Sequence, residues 1–343
     1  MTGPHAHRPT ARRHRQAGFS LVELMVALTL GLIIVGGVIS IFVTNQQAFR
    51  TTEALSRLQE NARVSFELMS REIRQAGGNP CGTRLVSNVL KTNDWSTNWE
   101  LGTVIGYDQA RATPMAPFPS SIPPATGSRV VGTDALLVLG DSLAIGPGIV
   151  SHTPAATPPA IILNGTNGAL AAGTIALICD SNSGVIAEVS GVSGTNTLTF
   201  NTTGTTPGNC STNFGPGGCA APSTKTFASN GFVSPLSAGL WYIGNNGRGG
   251  NSLYRRGRLT IDEVAEGVIN MQIQYLLRNV ATGVPATNWV DADPLANWST
   301  AAPDQVVALR FRMTLRTINR VGTDQNQLER EVVYIVNLRN RLQ

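Results

Sequence analysis

Residues 19–43, FSLVELMVALTLGLIIVGGVISIFV, carry a single charge, at Glu23. A run of roughly 20 apolar residues is long enough for a helix to cross a bilayer. Residues 1–18 contain four arginines and no acidic residue, and basic residues beside a membrane helix hold that end in the cytoplasm. The sequence therefore predicts one membrane helix with a cytoplasmic N-terminus, and it places everything after Val43 on the outer side.

A secretory signal is the alternative interpretation of this stretch. Such a signal has a shorter apolar core that is followed by a cleavage site of small residues. Here the apolar core is too long and no such site follows it, so simple secretion is less favoured than an anchor.

The formal net charge of +5 reflects the basic residues that orient the membrane helix, and it does not indicate a negatively charged binding partner. Four of the positive charges belong to residues 1–18, and removing them leaves +1. A near-neutral body has no general electrostatic attraction for nucleic acid or anionic lipid.

Glu23 is unusual because a carboxylate near the centre of a membrane helix costs on the order of 2.5–3.5 kcal/mol, and such residues usually have a functional partner. An ordinary signal anchor with an incidental glutamate is one explanation, but it leaves that cost uncompensated. We therefore expect Glu23 to meet a positive charge.

The stretch RQAGFSLVELMVAL, residues 15–28, resembles the type IV prepilin signature. It has a basic leader that ends in Gly18, then Phe19, then an acid at the fifth position of the mature chain, and then a long apolar run. The resemblance implies that a prepilin peptidase cuts between Gly18 and Phe19 and that the new amine of Phe19 is methylated. It also implies that Glu23 pairs with the amine of a neighbouring subunit. The implied partners are other minor pilins and the major pilin, through their N-terminal helices, and an inner-membrane assembly platform.

The helix is expected to continue beyond the membrane, because residues 44–76 contain no Gly or Pro. Apolar residues recur in this segment at spacings of three and four and predict one buried stripe: Leu55, Leu58, Ala62, Phe66, Met69, Ile73 and Ala76. Gly77, Gly78 and Pro80 then form a strong helix stop. The predicted organisation is a leader at 1–18, a membrane helix at 19–43, an amphipathic continuation at 44–76 and a head at 77–343.

The head is predicted to be rich in strands and long loops, since the chain contains 36 Gly and 19 Pro. Apolar runs at 134–139 and 173–179 indicate two strands. Apolar and polar residues alternate at 269–275, 309–315 and 332–338, as they do in half-buried strands. Three such strands with a helix laid across them predict an α+β, pilin-like fold with an antiparallel sheet.

Four later segments resemble the PilW group of minor pilins: REIRQAGGNPCG, GTIALICDSNSGVIAEV, LYRRGRLTIDEVAEGVINMQIQY and VVYIVNLRNRL. The resemblance implies a minor pilin that initiates or caps a type IV pilus and so supports twitching motility or adhesion. A pseudopilin of a type II secretion system is the alternative, because the N-terminal signature is common to both classes.

Two disulfides are expected from the four cysteines, all of which lie on the outward side, where oxidation is permitted. Three pairings are possible. We favour Cys81 with Cys179, which ties the helix end to a strand, and Cys210 with Cys219, which closes a small loop. A zinc site is the alternative, but the chain has no Cys-x-x-Cys and no histidine lies near these cysteines.

The sequence offers few groups for catalysis. Three of the four histidines lie in the leader, and His152 is in a Pro/Thr/Ala stretch that predicts an exposed loop. No phosphate-binding glycine loop or nucleophile elbow is present. We therefore expect no enzymatic activity, cofactor or metal, and we interpret the Asp180–Gly184 segment as a turn rather than a calcium loop.

Arg310, Arg312 and Arg316 are expected on one face of one strand. They suggest a patch that binds DNA, or a head that contacts a surface. A solvated face whose arginines have acidic neighbours is the more favoured interpretation.

Overall fold

The computed structural model describes Gly18 and residues 20–78, 80–82, 86–109, 118, 126–141, 146–166, 168–203, 207–292, 298–299, 302–322 and 326–339. Residues 1–17 of the leader and Phe19 lie outside the described residues. The chain divides into two compact units, residues 1–53 and residues 54–343.

Helix α1 spans Leu21–Gln75 without interruption. Among the described residues it is the one helix that is long and apolar enough to cross a membrane. Its last part, from Ala54 onward, belongs to the second unit and carries the predicted stripe. Five stripe residues are buried and two, Leu55 and Phe66, are half-buried, so the amphipathic prediction is confirmed.

The helix ends where the glycines predict. Gly77 adopts a φ of 71°, a left-handed conformation that glycine tolerates and that commonly ends helices. Its N–H donates to the Leu139 carbonyl at 2.9 Å, and a Cβ on Gly77 would lie 2.9 Å from the Thr103 hydroxyl. The chain therefore turns from the helix directly onto the sheet.

Fifteen strands follow the helix in the described residues: β1 (Val86–Asn88), β2 (Val104–Tyr107), β3 (Ala135–Asp141), β4 (Ile149–Thr153), β5 (Ala160–Leu163), β6 (Ile175–Cys179), β7 (Gly184–Glu188), β8 (Gly191–Ser193), β9 (Thr197–Thr199), β10 (Phe232–Asn245), β11 (Asn251–Arg256), β12 (Ile261–Glu266), β13 (Val268–Asn279), β14 (Asp304–Arg316) and β15 (Glu329–Asn337). A short 3₁₀ helix lies at Trp99–Leu101.

The described strands form three sheets. The largest runs in the order β1-β7-β6-β10-β11-β12, with β3 also pairing β10 and β2 pairing β3. A second sheet has the order β13-β14-β15 and a third the order β4-β5-β9-β8. Among these pairings β1 with β7 is parallel and the others are antiparallel.

The three-stranded sheet is the one that the alternating pattern predicts. Leu309, Phe311 and Met313 are buried on its inner face, while Arg310 and Arg312 lie on the other face. The inner face packs against the second part of α1, where the rings of Phe66 and Tyr334 stack with centroids 4.1 Å apart. The α+β prediction is confirmed.

The disulfides in the structure are Cys81–Cys179 and Cys210–Cys219, the two pairs favoured from the sequence. The first ties the segment after α1 to the last residue of β6, in the largest sheet. The second closes a loop that contacts the segment after β1, where the Cys210 N–H donates to the Val89 carbonyl at 2.7 Å.

Candidate assembly site

Gly18 and the first turn of α1 surround the predicted cleavage position. Gly18 is exposed, and a Cβ placed on it would meet no atom within 4 Å. The Ser20 carbonyl accepts the first helical hydrogen bond, from the Leu24 N–H at 3.1 Å. Glu23 lies in the first turn of α1, where the helix dipole favours a negative charge.

Glu23 lies at the edge of a shallow apolar groove on the helix. The groove is lined by Leu24, Ala27, Leu28, Gly31, Leu32 and Val35. Leu32 is 71% exposed and Val35 54%, and every residue of α1 from 21 to 50 is exposed. An apolar surface of this length needs lipid or another apolar helix to cover it.

Within the described part of the chain, no basic side chain forms an ion pair with Glu23. Because a carboxylate in an apolar segment is costly without a positive partner, a partner on another molecule stays a prediction for Glu23.

Two family profiles match the chain. The prokaryotic N-terminal methylation motif matches residues 13–39, which include Gly18, Phe19 and Glu23. The profile of the type IV pilus-assembly protein W matches residues 240–338, from the end of β10 to just after β15. Together the two matches support a type IV minor pilin of the PilW group. No curated protein and no solved structure matches it significantly. Both matched families are structural, and the N-terminal motif with its single apolar helix indicates a pilin anchored in the inner membrane.

In this minor pilin, Glu72 fastens the second part of α1 to the largest sheet. Its carboxylate accepts a hydrogen bond from the Trp241 indole N–H at 2.8 Å and pairs with the Arg255 guanidinium at 2.5 Å. The backbone of Gly239 comes close beneath it, and a Cβ there would lie 2.3 Å from a Glu72 oxygen. The sequence pattern did not predict this contact, although the charge of Glu72 between Met69 and Ile73, beside an apolar stripe, was a signal for it.

The three arginines of the predicted patch do lie on the exposed face of β14. Arg316 pairs with Glu329 at 2.6 Å and Arg312 with Glu331 at 3.6 Å. Arg310 donates to Gln274 at 3.1 Å and lies 5.0 Å from the centre of the Trp289 ring. Two of the three charges are thus matched by acids from β15, which favours the solvated-face interpretation over a DNA-binding patch.

The prediction that His152 lies in an exposed loop was wrong. His152 is in β4 and is 7% exposed, with the rings of Phe214 and Phe227 beside it. Its Nδ1 accepts the Phe227 N–H at 3.1 Å, and burial lowers the pKa of His152 to about 4. The Pro/Thr/Ala composition gave the wrong prediction because β4 and β5 bury these residues against their own small core.

A second buried titratable group, Asp134, links two sheets. It precedes β3, and its carboxylate accepts the N–H groups of Ile273 in β13 at 2.7 Å and of Gln109 at 3.2 Å. Burial raises the pKa of Asp134 to about 6, helped by the nearby charge of Asp108 and opposed by these hydrogen bonds and by Arg129.

Asp180 forms a turn, as predicted. It caps the β6–β7 hairpin by accepting the N–H groups of Asn182 and Ser183, and it pairs with Lys225 at 2.7 Å. Burial raises its pKa, but these bonds outweigh burial and hold the pKa below its usual value. Among the described residues, no cluster of three or more His, Cys, Asp or Glu side chains could hold a metal ion.

Proposed function

We propose that this minor pilin initiates assembly of a type IV pilus or occupies the filament tip, and thereby supports pilus biogenesis, twitching motility or adhesion. It is made as a precursor and cut between Gly18 and Phe19 by a prepilin peptidase. Residues 19–43 then hold it in the inner membrane, with the N-terminus cytoplasmic and the head periplasmic, until the assembly platform moves it into the pilus at the cell surface.

The single observation that carries this proposal is the exposed apolar groove beside an acid in the first turn of α1. In the bilayer the groove is covered by lipid. In a filament it is covered by the helices of other minor pilins and of the major pilin, and the methylated amine of a neighbouring Phe19 supplies the charge that Glu23 needs. Pairing in this way sets the axial register of subunits as they leave the membrane.

A tip or initiation role is favoured over a shaft role by the size of the head. The described part of the unit at residues 54–343 forms three sheets and contains two disulfides. A head of this size would be difficult to repeat at every position of a long fibre. The match to a pilus-assembly family favours a pilus over a type II secretion system.

Deletion of the gene tests the proposal. We expect few or no surface pili and loss of twitching, with protein secretion unchanged. Normal piliation and twitching would contradict the proposal, and a secretion defect with normal pili would identify a type II pseudopilin instead.

Complementation of the deletion tests the role of Glu23. Glu23→Val removes the charge, so the protein should remain in the membrane without restoring pili. Glu67→Gln is the matched control, since Glu67 is 55% exposed and pairs only with Arg63 one turn away on the same helix. Glu67→Gln should restore pili as the unaltered protein does. Restoration of pili by Glu23→Val would show that Glu23 does not need to pair with a neighbouring amine.

A further inference from the structure

Strand β15 forms one edge of the three-stranded sheet. Its register with β14 is continuous from Glu329, opposite Arg316, to Asn337, opposite Ala308. At the two ends of this ladder, the Thr317 N–H donates to the Leu328 carbonyl and the Leu338 N–H to the Val307 carbonyl, both at 2.9 Å. The backbone groups of the even-numbered residues therefore face β14.

The backbone groups of the odd-numbered residues consequently point away from the sheet, because the direction alternates along an antiparallel strand. These residues are Glu329, Glu331, Val333, Ile335 and Asn337, and all five are exposed. In the described part of the chain, no other strand pairs with this side of β15. We call these five residues the β15 edge.

The β15 edge carries the charges of Glu329 and Glu331 at one end, but it lacks several other features with which proteins protect an open strand. Residues 329–337 contain no proline and no lysine, and the ladder has no bulge. Val333 is 51% exposed and Ile335 56%, so two aliphatic side chains stand beside the open backbone groups. A long, regular and partly apolar edge is a template for another strand.

We propose that the β15 edge binds an extended segment from the head of another pilin subunit, which adds to the sheet as a fourth strand. The backbone supplies the hydrogen bonds, as in other cases of strand addition. The incoming strand places two apolar side chains beside Val333 and Ile335. The proposal rests on the proposed function only for the source of that strand.

The charges along β15 specify one further property of the incoming strand. Glu329 is held by Arg316 at 2.6 Å, but Glu331 lies 3.6 Å from Arg312 and directly opposite Thr314. Glu331 can therefore accept a second cation, which a lysine or arginine on the incoming strand would supply.

A second copy of this chain is the alternative occupant of the edge. Antiparallel pairing of two β15 strands about Tyr334 would place Val333 opposite Ile335 twice. Crosslinking in cells distinguishes a second copy from a different subunit.

Photocrosslinking of the full chain in piliated cells tests the proposal. With p-benzoylphenylalanine at position 333, we expect an adduct with another pilin-like subunit. Mass spectrometry should map it to an extended segment with alternating apolar residues and a lysine or arginine. The same probe at Leu32, in the apolar groove of α1, reports assembly through the helices.

Ile335→Lys should reduce the adduct from position 333 at least about fivefold, since a lysine on an edge strand opposes pairing. Leu259→Lys is the matched control and should not change the adduct, because Leu259 is 91% exposed and lies before β12, away from β15 in the chain. Both variants should keep the protease resistance of the unaltered head.

The outcomes separate this proposal from the proposed function. Adducts from Leu32 without adducts from position 333 would overturn the strand addition and leave the pilin role intact. An adduct from position 333 to a second copy of this chain, or to a protein that is not a pilin, would also overturn it. Absence of pilin adducts at both positions would overturn both proposals.

Discussion

Glu72 illustrates how one side chain connects the helix to the head. Its partners, Trp241 in β10 and Arg255 in β11, come from adjacent strands of the largest sheet. The carboxylate is about one-fifth exposed, so water screens its ion pair less than it would at the surface. The contact therefore fixes the rotation of this part of α1 as well as its position.

Glu72→Gln should lower the free energy of unfolding of the head by about 1–3 kcal/mol, because it removes a hydrogen-bonded charge from Arg255. Urea unfolding of the detergent-solubilised full chain, followed by tryptophan fluorescence, measures this. Glu67→Gln should change it by less than about 0.5 kcal/mol, since exposed helix pairs contribute little. Equal effects of the two variants would show that Glu72 does not anchor the helix.

Two buried groups give the head opposing responses to pH. The pKa of His152 is about 4 in the fold against an ordinary 6.5, so its contribution to stability is complete above pH 6.5 and is lost as pH falls toward 4. The pKa of Asp134 is about 6 against 3.8, so its contribution is complete below pH 3.8 and is lost as pH rises through 6. The two effects oppose each other between pH 4 and 6.5.

Asp134→Asn should therefore make stability fall more steeply than in the unaltered protein as pH drops from 6.5 to 4. His152→Gln should lower stability overall and give the opposite slope, with stability rising over the same interval. Unfolding curves at several pH values measure both slopes. Parallel curves for all three proteins would contradict the assigned burial effects.

The role of a residue was predictable from the sequence only where its chemistry is unusual for the segment in which it lies. Glu23 stood out because a charge is costly in an apolar run. The partners of Glu72 and Asp134 were not predictable, since Trp241 and Ile273 lie 169 and 139 residues away in the chain. His152 was misassigned because local composition does not reveal burial by β5 and the Phe214 loop.

At the scale of elements, periodic segments were predicted well. The stripe of α1 and strands β13, β14 and β15 each bury one face, so their sequences carry a period. Strand β6 is buried at every residue, and its apolar run indicated a strand without indicating its neighbours. The eight-stranded sheet and the separate four-stranded sheet therefore could not be derived from the pattern.

The two disulfides should differ in what they contribute to stability. Cys81 and Cys179 are separated by 98 residues and Cys210 and Cys219 by 9. Loop-closure entropy alone predicts that replacing the first pair by alanine lowers the free energy of unfolding by roughly 2 kcal/mol more than replacing the second. Urea unfolding of the two double variants measures the difference, and a larger loss for the short loop would contradict it.

In the whole molecule, the two units differ in what covers their apolar side chains. In the described part of residues 54–343, most buried apolar side chains form two cores. One core joins the helix stripe, the three-stranded sheet and part of the largest sheet, and the other includes the four-stranded sheet. The apolar part of α1 in residues 21–50 buries none within this chain. Its stability therefore depends on lipid or on other subunits, which is the physical basis of an anchor that can also assemble.

We propose that the chain is processed so that a new amine at Phe19 neutralises a carboxylate like that of Glu23. The control variant for processing is Gly18→Val, which should keep the leader. A Cβ at Gly18 meets no atom within 4 Å, so this change should block cleavage without disturbing the fold.

The most direct test is mass spectrometry of the N-terminus of the protein extracted from membranes of cells with a working prepilin peptidase. We expect a chain that begins at Phe19 and carries a methyl group on its amine. A chain that keeps residues 1–18 in those cells would contradict it.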